Sequence, residues 1–104
     1  MAYNMDNPLG IIINYEKTWI YKIECKDPSV VHIYVDHTTT KLSPKKSQLK
    51  QRLNKTKSGY LHIRLNGGWD NWVLTKVEDF PCSCREKADI RAKQLFCELN
   101  NAKQ

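Results

Sequence analysis

The basic residues of this 104-residue chain are concentrated in one segment, and their chemistry is that of phosphate binding. Between Lys41 and Lys57 there are seven basic residues and no acidic one. The rest of the chain has ten basic and eleven acidic residues, so the segment contributes +7 and the remainder −1 to the net charge of +6. Clustered amines and guanidinium groups attract phosphates. The pattern predicts an anion-binding surface, with a merely solvated helix face as the alternative.

Cysteines and histidines could form a metal site. Cys82 and Cys84 make a CxC pair. The three histidines could supply further ligands: His32, His37 and His62. Structural zinc sites usually pair two ligand clusters, each with two or more residues between its members. This chain has one CxC pair, with a single residue between its cysteines, and no clear second pair, so zinc is an open but disfavoured alternative.

Length and composition are typical of one globular domain. The chain is 40% hydrophobic and 27% charged, enough to bury a single core. No run approaches the roughly 18–20 apolar residues that cross a bilayer, and residues 1–10 lack the features of a signal peptide. We expect an arm over 1–13, one domain over 14–104, no membrane partner and an intracellular location, which for a viral protein could be the host nucleus. The cysteines should then be free thiols.

Two runs of alternating apolar residues predict a β-hairpin. They are Trp19–Cys25 and Val31–Val35, separated by a turn over Lys26–Ser29 that contains the turn formers Asp and Pro. Each predicted strand has a central tyrosine, Tyr21 in the first and Tyr34 in the second. Because tyrosine is favoured in strands, packing alone could explain this pair.

The remaining segments predict three helices and a third strand. Ser43-Pro44 indicates the start of a helix that runs to about Lys55. Residues 60–66 favour a short helix before the Asn66-Gly67-Gly68 turn, and 72–80 favour a strand. SCRE at 83–86 is a capping-box pattern and begins a helix to about Asn100. Its predicted buried face comprises Ala88, Ala92, Leu95 and Leu99. The fold class is therefore α+β with a small, mainly antiparallel sheet.

The order of these motifs resembles the GIY-YIG nuclease superfamily. IYKI at Ile20–Ile23, IYV at Ile33–Val35, the basic helix and NGGWDNW at Asn66–Trp72 precede a strand and a closing helix. The similarity spans roughly Asn14–Asn100 and is closest in style to short stand-alone members of large DNA viruses and related mobile elements. It implies a three-stranded antiparallel sheet flanked by about three helices.

The resemblance also implies metal-dependent cleavage of DNA phosphodiester bonds. In that chemistry a base deprotonates water, a cation stabilises the phosphate and a carboxylate holds one divalent metal. Tyr21 and Tyr34 match the two motif tyrosines, one of which serves as or assists the base. Lys45 falls where the family has a phosphate-contacting arginine, although lysine lacks the bidentate fork. These three are the candidate catalytic residues, and Mg²⁺ or Mn²⁺ is the implied cofactor of an active enzyme.

Several positions depart from the family pattern. Trp19 and Asp36 stand where the motifs have glycines, and Leu49 stands where a histidine is common. Ala92 falls at the position of the metal-binding glutamate, and alanine cannot bind a metal. Because Ala92 also lies on the apolar stripe, it is predicted to be a core residue. Carboxylates that could serve as a relocated metal ligand are Asp36 and Asp89.

The sequence thus predicts a GIY-YIG-like DNA-binding protein with weak or lost cleavage. The residues expected to contact the phosphate backbone are Lys45, Lys46, Lys50, Arg52, Lys55 and Lys57. The alternative is an active Mg²⁺- or Mn²⁺-dependent DNA endonuclease that uses a relocated carboxylate. A third possibility is a protein-interaction module with an exposed Trp69 or Trp72, although small domains more often bury tryptophan.

Overall fold

The computed structural model describes residues 13–55 and 61–103, and in these ranges it confirms the α+β fold. Three strands form one antiparallel sheet in the order β2-β1-β3, namely β1 (Trp19–Cys25), β2 (Ile33–Thr38) and β3 (Trp72–Asp79). The helices of the described ranges are α1 (Leu42–Lys55), α2 (Leu61–Leu65) and α3 (Arg85–Lys103). Short 3₁₀ turns cover Tyr15–Lys17 and Trp69–Asn71. The order of elements is the predicted one.

Strands β1 and β2 form the predicted hairpin. The Asp27 carboxylate accepts hydrogen bonds from the Ser29 amide at 2.9 Å and the Ser29 hydroxyl at 2.8 Å, which stabilises the turn. In the register of the pair, Tyr34 lies opposite Ile23, and Asp36 lies opposite Tyr21. Directly opposed residues share a face of the sheet. Both tyrosines and Asp36 therefore lie on the same side.

The core covers both faces of the sheet. On the side of the tyrosines, Leu49 of α1 and Ile63 of α2 pack against β1 and β3. On the other side, Ala92 and Leu95 of α3 pack against Ile20, which is 0% exposed. The helical periodicity therefore identified three of the four predicted buried positions of α3 correctly, and the fourth, Leu99, is half-buried. Ala92 is the core residue that the stripe predicted.

The helix boundaries differ from the predictions by a few residues. Helix α1 begins at Leu42 because the Lys45 amide donates to the Lys41 carbonyl at 3.0 Å. Pro44 thus lies in the first turn, where amide groups have no partner within the helix. Helix α3 continues past Asn100, whose side chain bonds to the Ile33 backbone and holds this end against β2. No helix in the described ranges is both long and apolar enough to span a membrane.

The predicted turn after α2 requires its glycines. Gly67 and Gly68 have φ values of +94° and +74°, and a Cβ atom on Gly67 would lie 2.7 Å from the Asn71 Cβ atom. This tight turn directs Trp72 into the core, where it is 4% exposed, while Trp69 is half-buried against the same cluster. The hypothesis that Trp72 docks a partner is therefore wrong, because its indole is packed inside the domain.

Candidate nucleic-acid interface

Helix α1 presents lysines to solvent. Lys46 and Lys50 are exposed and four residues apart, so they lie on the same side of the helix. We call this side the α1 basic face. Lys57 lies outside the described residues. The side chains of Arg52 and Lys55 also lie outside the part of α1 whose side chains are described. The structure therefore places three of the six predicted contact residues, with Lys45 half-buried beside the two exposed lysines.

The orientation of α1 is set by contacts on its inner side. Leu49 is 2% exposed and anchors the helix in the core. One turn earlier, the Lys45 ammonium lies 5.7 Å from the centre of the Tyr21 ring, a cation–π distance. The Trp19 indole donates to the Thr40 carbonyl at 2.9 Å and ties the start of α1 to the sheet. Trp19 thus helps to position the basic helix.

Tyr21 is a core residue. It is 1% exposed, and its ring centre lies 5.7 Å from that of Trp19. The Lys45 ammonium lies over the Tyr21 ring, and the ring is covered from solvent by the α1 side of the core. A substrate could not reach the Tyr21 hydroxyl in this conformation.

Tyr34 is half-buried at the start of α2. Its hydroxyl oxygen accepts a hydrogen bond from the His62 amide at 3.1 Å. Burial raises the pKa of the Tyr34 phenol above its ordinary value, and bonds from the His62 and Ile63 amides offset this only in part. A phenol with a raised pKa is a poor base near neutral pH. The geometry therefore suits a hydrogen-bonding role for Tyr34 better than that of a general base.

Two stacked histidines adjoin Tyr34. The ring centres of His32 and His62 lie 4.1 Å apart with an interplanar angle of 17°, and the His32 ring meets the edge of Tyr34 at 4.6 Å. Burial first, and the neighbouring His62 second, lower the pKa of His32. His32 is therefore held largely neutral at neutral pH. Sequence reasoning considered these histidines only as zinc ligands and missed the stack.

A cleft of about 400 Å³ lies where β2 ends and α1 and α3 begin. We call it the β2–α3 cleft. Its charged or titratable lining residues are Tyr15, Asp36, His37, Lys45, Arg85 and Asp89. The His37 Nε2 atom lies 2.5 Å from Asp89 Oδ1 and 4.0 Å from Asp36 Oδ1, and Arg85 Nε lies 3.7 Å from Asp89 Oδ2. The two carboxylates predicted as substitute metal ligands thus meet in one cleft, beside Lys45.

The arrangement of the β2–α3 cleft does not fit a divalent metal. Asp89 already contacts the His37 ring and the Arg85 guanidinium, and Mg²⁺ requires several oxygen ligands in a near-octahedral arrangement. Within the described residues, no three His, Cys, Asp or Glu side chains are placed to hold a metal ion. Ala92 is 6% exposed on the sheet face opposite the tyrosines. The candidate site therefore offers phosphate-binding groups without a recognisable metal centre.

The zinc alternative also lacks a site. All four cysteines lie in the described ranges and are free thiols. The Cys82 sulfur lies 3.8 Å from the Tyr15 carbonyl oxygen and 3.7 Å from the Thr18 hydroxyl. The histidines are engaged elsewhere, since His37 contacts Asp89 and His32 stacks on His62.

Sequence reasoning considered His37 only as a possible zinc ligand and did not consider Arg85 as a site residue. Two signals could have indicated them. Arg85 and Asp89 have the i,i+4 spacing that places both on one side of a helix, and Asp36 and His37 are adjacent polar residues at the end of a strand. Neither signal identifies its partner, because the two segments are far apart in the chain.

Comparison with known proteins leaves the motifs as the basis for the family assignment. The resemblance to GIY-YIG nucleases stays a prediction from the order of the hairpin, the basic helix and the NGGWDNW segment. No family model matches this chain, and the searches of curated proteins and of solved structures likewise give no match.

Proposed function

We propose that this protein binds the phosphate backbone of DNA through the α1 basic face and cleaves DNA weakly or not at all. The observation that carries the proposal is the pair Lys46 and Lys50, exposed side by side on a helix that Leu49 anchors in the core. The pair lies in the segment that contains the protein's entire excess positive charge.

Backbone binding suits this surface on electrostatic grounds. Lysine amines contact phosphates without reading base edges, and each neutralised phosphate releases counterions. The segment from Lys41 to Lys57 has no acidic residue that could neutralise the lysines from within the same helix. Because Leu49 and the Trp19–Thr40 hydrogen bond fix α1 to the sheet, little ordering of the helix is needed on binding.

Weak or absent cleavage is supported by three features of the family-matched positions. Ala92 supplies no ligand and is enclosed by the core. Tyr21 is buried beneath Lys45, and Tyr34 has a raised pKa and a hydroxyl bonded to the start of α2. The residues at the catalytic positions thus lack a metal ligand, are buried or are hydrogen-bonded within the domain. The lysines that can bind phosphate are exposed on α1.

The test is the salt dependence of affinity for a short DNA duplex, measured by fluorescence anisotropy. Affinity should fall steeply between about 50 and 200 mM salt, as counterion release requires. Replacing both Lys46 and Lys50 with alanine should weaken binding and reduce the slope of log affinity against log salt by about 1.8, since each phosphate contact contributes about 0.9.

The matched control removes two exposed lysines of α3, Lys87→Ala with Lys93→Ala, on the opposite face of the sheet. This variant has the same net charge as the α1 variant and should keep the slope of the unmodified protein. Equal losses in both variants, salt-insensitive binding or no binding at low salt would refute the proposal.

A Mg²⁺- or Mn²⁺-dependent DNA endonuclease is the second candidate function. One observation favours it, namely that Asp36 and Asp89 meet beside Lys45 in the β2–α3 cleft. The contacts of Asp89 with His37 and Arg85 weigh against it. Plasmid nicking with either metal, abolished by Tyr34→Phe and by Asp89→Asn, would establish this function instead.

A further inference from the structure

The β2–α3 cleft has the size and chemistry of a small-molecule site. Its volume of about 400 Å³ lies within the range of roughly 300–1,000 Å³ that ligand pockets occupy. The lining is mainly polar and combines cationic, anionic and hydroxyl side chains. Its hydroxyl-bearing residues are Tyr15, Thr38 and Thr39. A polar ligand that carries both hydrogen-bond donors and an anionic group would complement this lining.

The cations come from two different helices. Lys45 lies in the first turn of α1, and its half-buried ammonium is placed by the Tyr21 ring. Arg85 is the first residue of α3, and its guanidinium is held near Asp89. Ammonium and guanidinium groups are the usual protein partners of phosphate. The cleft lining thus brings together a lysine and an arginine from two different helices.

The carboxylates determine which kind of phosphate compound fits. Asp36 accepts the His37 amide at 2.7 Å, but its side chain is 56% exposed and a carboxylate has about four acceptor positions. A DNA backbone presents only acceptor oxygens, which would face Asp36 and Asp89 unfavourably. A ribose presents hydroxyl groups that can donate to a carboxylate.

We propose that the β2–α3 cleft binds a ribose phosphate, with the phosphate between Lys45 and Arg85 and the ribose 2′-hydroxyl donating to Asp36. Asp89 contacts His37 and Arg85 and helps to hold these two side chains in place. The ligand is a ribonucleotide, either free or at the end of an RNA chain. This site is separate from the α1 basic face, since neither Lys46 nor Lys50 lines the cleft.

The experiment is an NMR titration of the full chain with 5′-AMP, 2′-deoxy-5′-AMP and inorganic phosphate. Shifts should saturate for AMP at the amides of Asp36, His37 and Arg85. The deoxynucleotide should bind about tenfold more weakly, because it lacks a donor to a charged acceptor, and phosphate alone should bind more weakly still. Arg85→Ala should reduce the affinity for AMP by at least about tenfold.

Two variants separate the cleft from general charge effects. Asp36→Ala should bring the affinities for AMP and the deoxynucleotide close together, whereas the exposed Asp70→Ala should keep the preference. Lys87→Ala, which removes an exposed cation of α3 outside the cleft, should bind AMP as the unmodified protein does. Asp36 and Arg85 have side chains more than half exposed, so their variants should fold.

A competition experiment shows whether the ribose belongs to a free nucleotide or to the end of an RNA chain. Displacement of AMP by a short RNA, but not by DNA of the same sequence, assigns the site to an RNA end, and no displacement assigns it to a free nucleotide. The proposal is refuted if none of the three probes gives saturable shifts, or if AMP and its deoxy form bind equally well to the unmodified protein. Failure here leaves the DNA-binding proposal intact, because that proposal is tested through Lys46 and Lys50.

Discussion

Replacing Ala92 with glutamate introduces the residue type that GIY-YIG nucleases have at the position that Ala92 matches in the predicted resemblance. If Ala92 were a vacant ligand slot, the longer carboxylate side chain would be accommodated. The structure instead encloses Ala92, which is 6% exposed and packed with Ile20 and Leu95. Ala92→Glu should therefore destabilise the domain rather than create a metal site.

The expected cost follows from the burial of the position. Extra methylene groups in a packed core cost about 1–3 kcal/mol. A carboxyl group held away from water must stay protonated, and a pKa shift of about three units adds about 4 kcal/mol at neutral pH. The sum is a large share of the roughly 5–15 kcal/mol that stabilises a domain. Thermal unfolding should occur at least about 20 °C lower, since 1 kcal/mol corresponds to about 4–8 °C at this size.

The loss of stability caused by Ala92→Glu should be larger at neutral pH than at acidic pH. The introduced carboxyl has a higher pKa in the folded than in the unfolded state, so the charge-related part of the cost is absent below the unfolded pKa of about 4.3. It increases as the pH rises through the raised folded pKa. Urea unfolding at pH 4 and pH 7 should therefore show a larger difference from the unmodified protein at pH 7.

The control is Ile90→Glu on the same helix, where the side chain is 53% exposed. This variant should change the free energy of unfolding by no more than about 0.5 kcal/mol, which is usual for surface positions. If Ala92→Glu unfolds like this control, or becomes more stable when Mn²⁺ is added, Ala92 is a ligand slot and the account of the core is wrong.

Two further predictions concern β2 and its neighbours. The pKa of His32 is lowered by burial and by His62, so its neutral form contributes stability that is present above the ordinary value of 6.5 and is lost as the pH falls through the lowered value. His62→Gln should raise the His32 pKa in an NMR titration, and an unchanged value would contradict the stacked arrangement. Asn100→Ala removes two hydrogen bonds to the Ile33 backbone, of 2.9 and 3.0 Å, and should cost about 1–3 kcal/mol in urea unfolding. The exposed neighbour Asn101→Ala is its control, and equal effects of the two variants would show that these bonds contribute nothing.

The elements of the fold could be predicted because their signals are local. Alternating residues in Trp19–Cys25 mark a strand, and the apolar spacing of Ala88, Ala92 and Leu95 marks the inner side of α3. The glycines after α2 mark a turn that only positive φ values allow. Each of these patterns is complete within about a dozen residues, so no knowledge of the tertiary structure is needed.

The candidate site could be predicted only in part, because its contacts join distant segments. His37 and Asp89 are 52 positions apart, and Ile33 and Asn100 are 67 apart, so no local pattern connects them. The sequence also placed Tyr21 at the site through its motif, but could not show that α1 covers the ring. The ring is covered because Leu49 and Lys45 of α1 pack over β1.

The proposed function combines binding of the DNA backbone with weak or absent cleavage. One agarose gel tests both binding and cleavage. Supercoiled plasmid is incubated with Mn²⁺ at low salt and with enough protein to retard all of the DNA. The first lane contains this mixture, and the second contains the same mixture after the protein has been removed. We expect complete retardation in the first lane and largely supercoiled plasmid in the second. Extensive nicking in the second lane that Tyr34→Phe abolishes, or unretarded plasmid in the first, would contradict the proposed function.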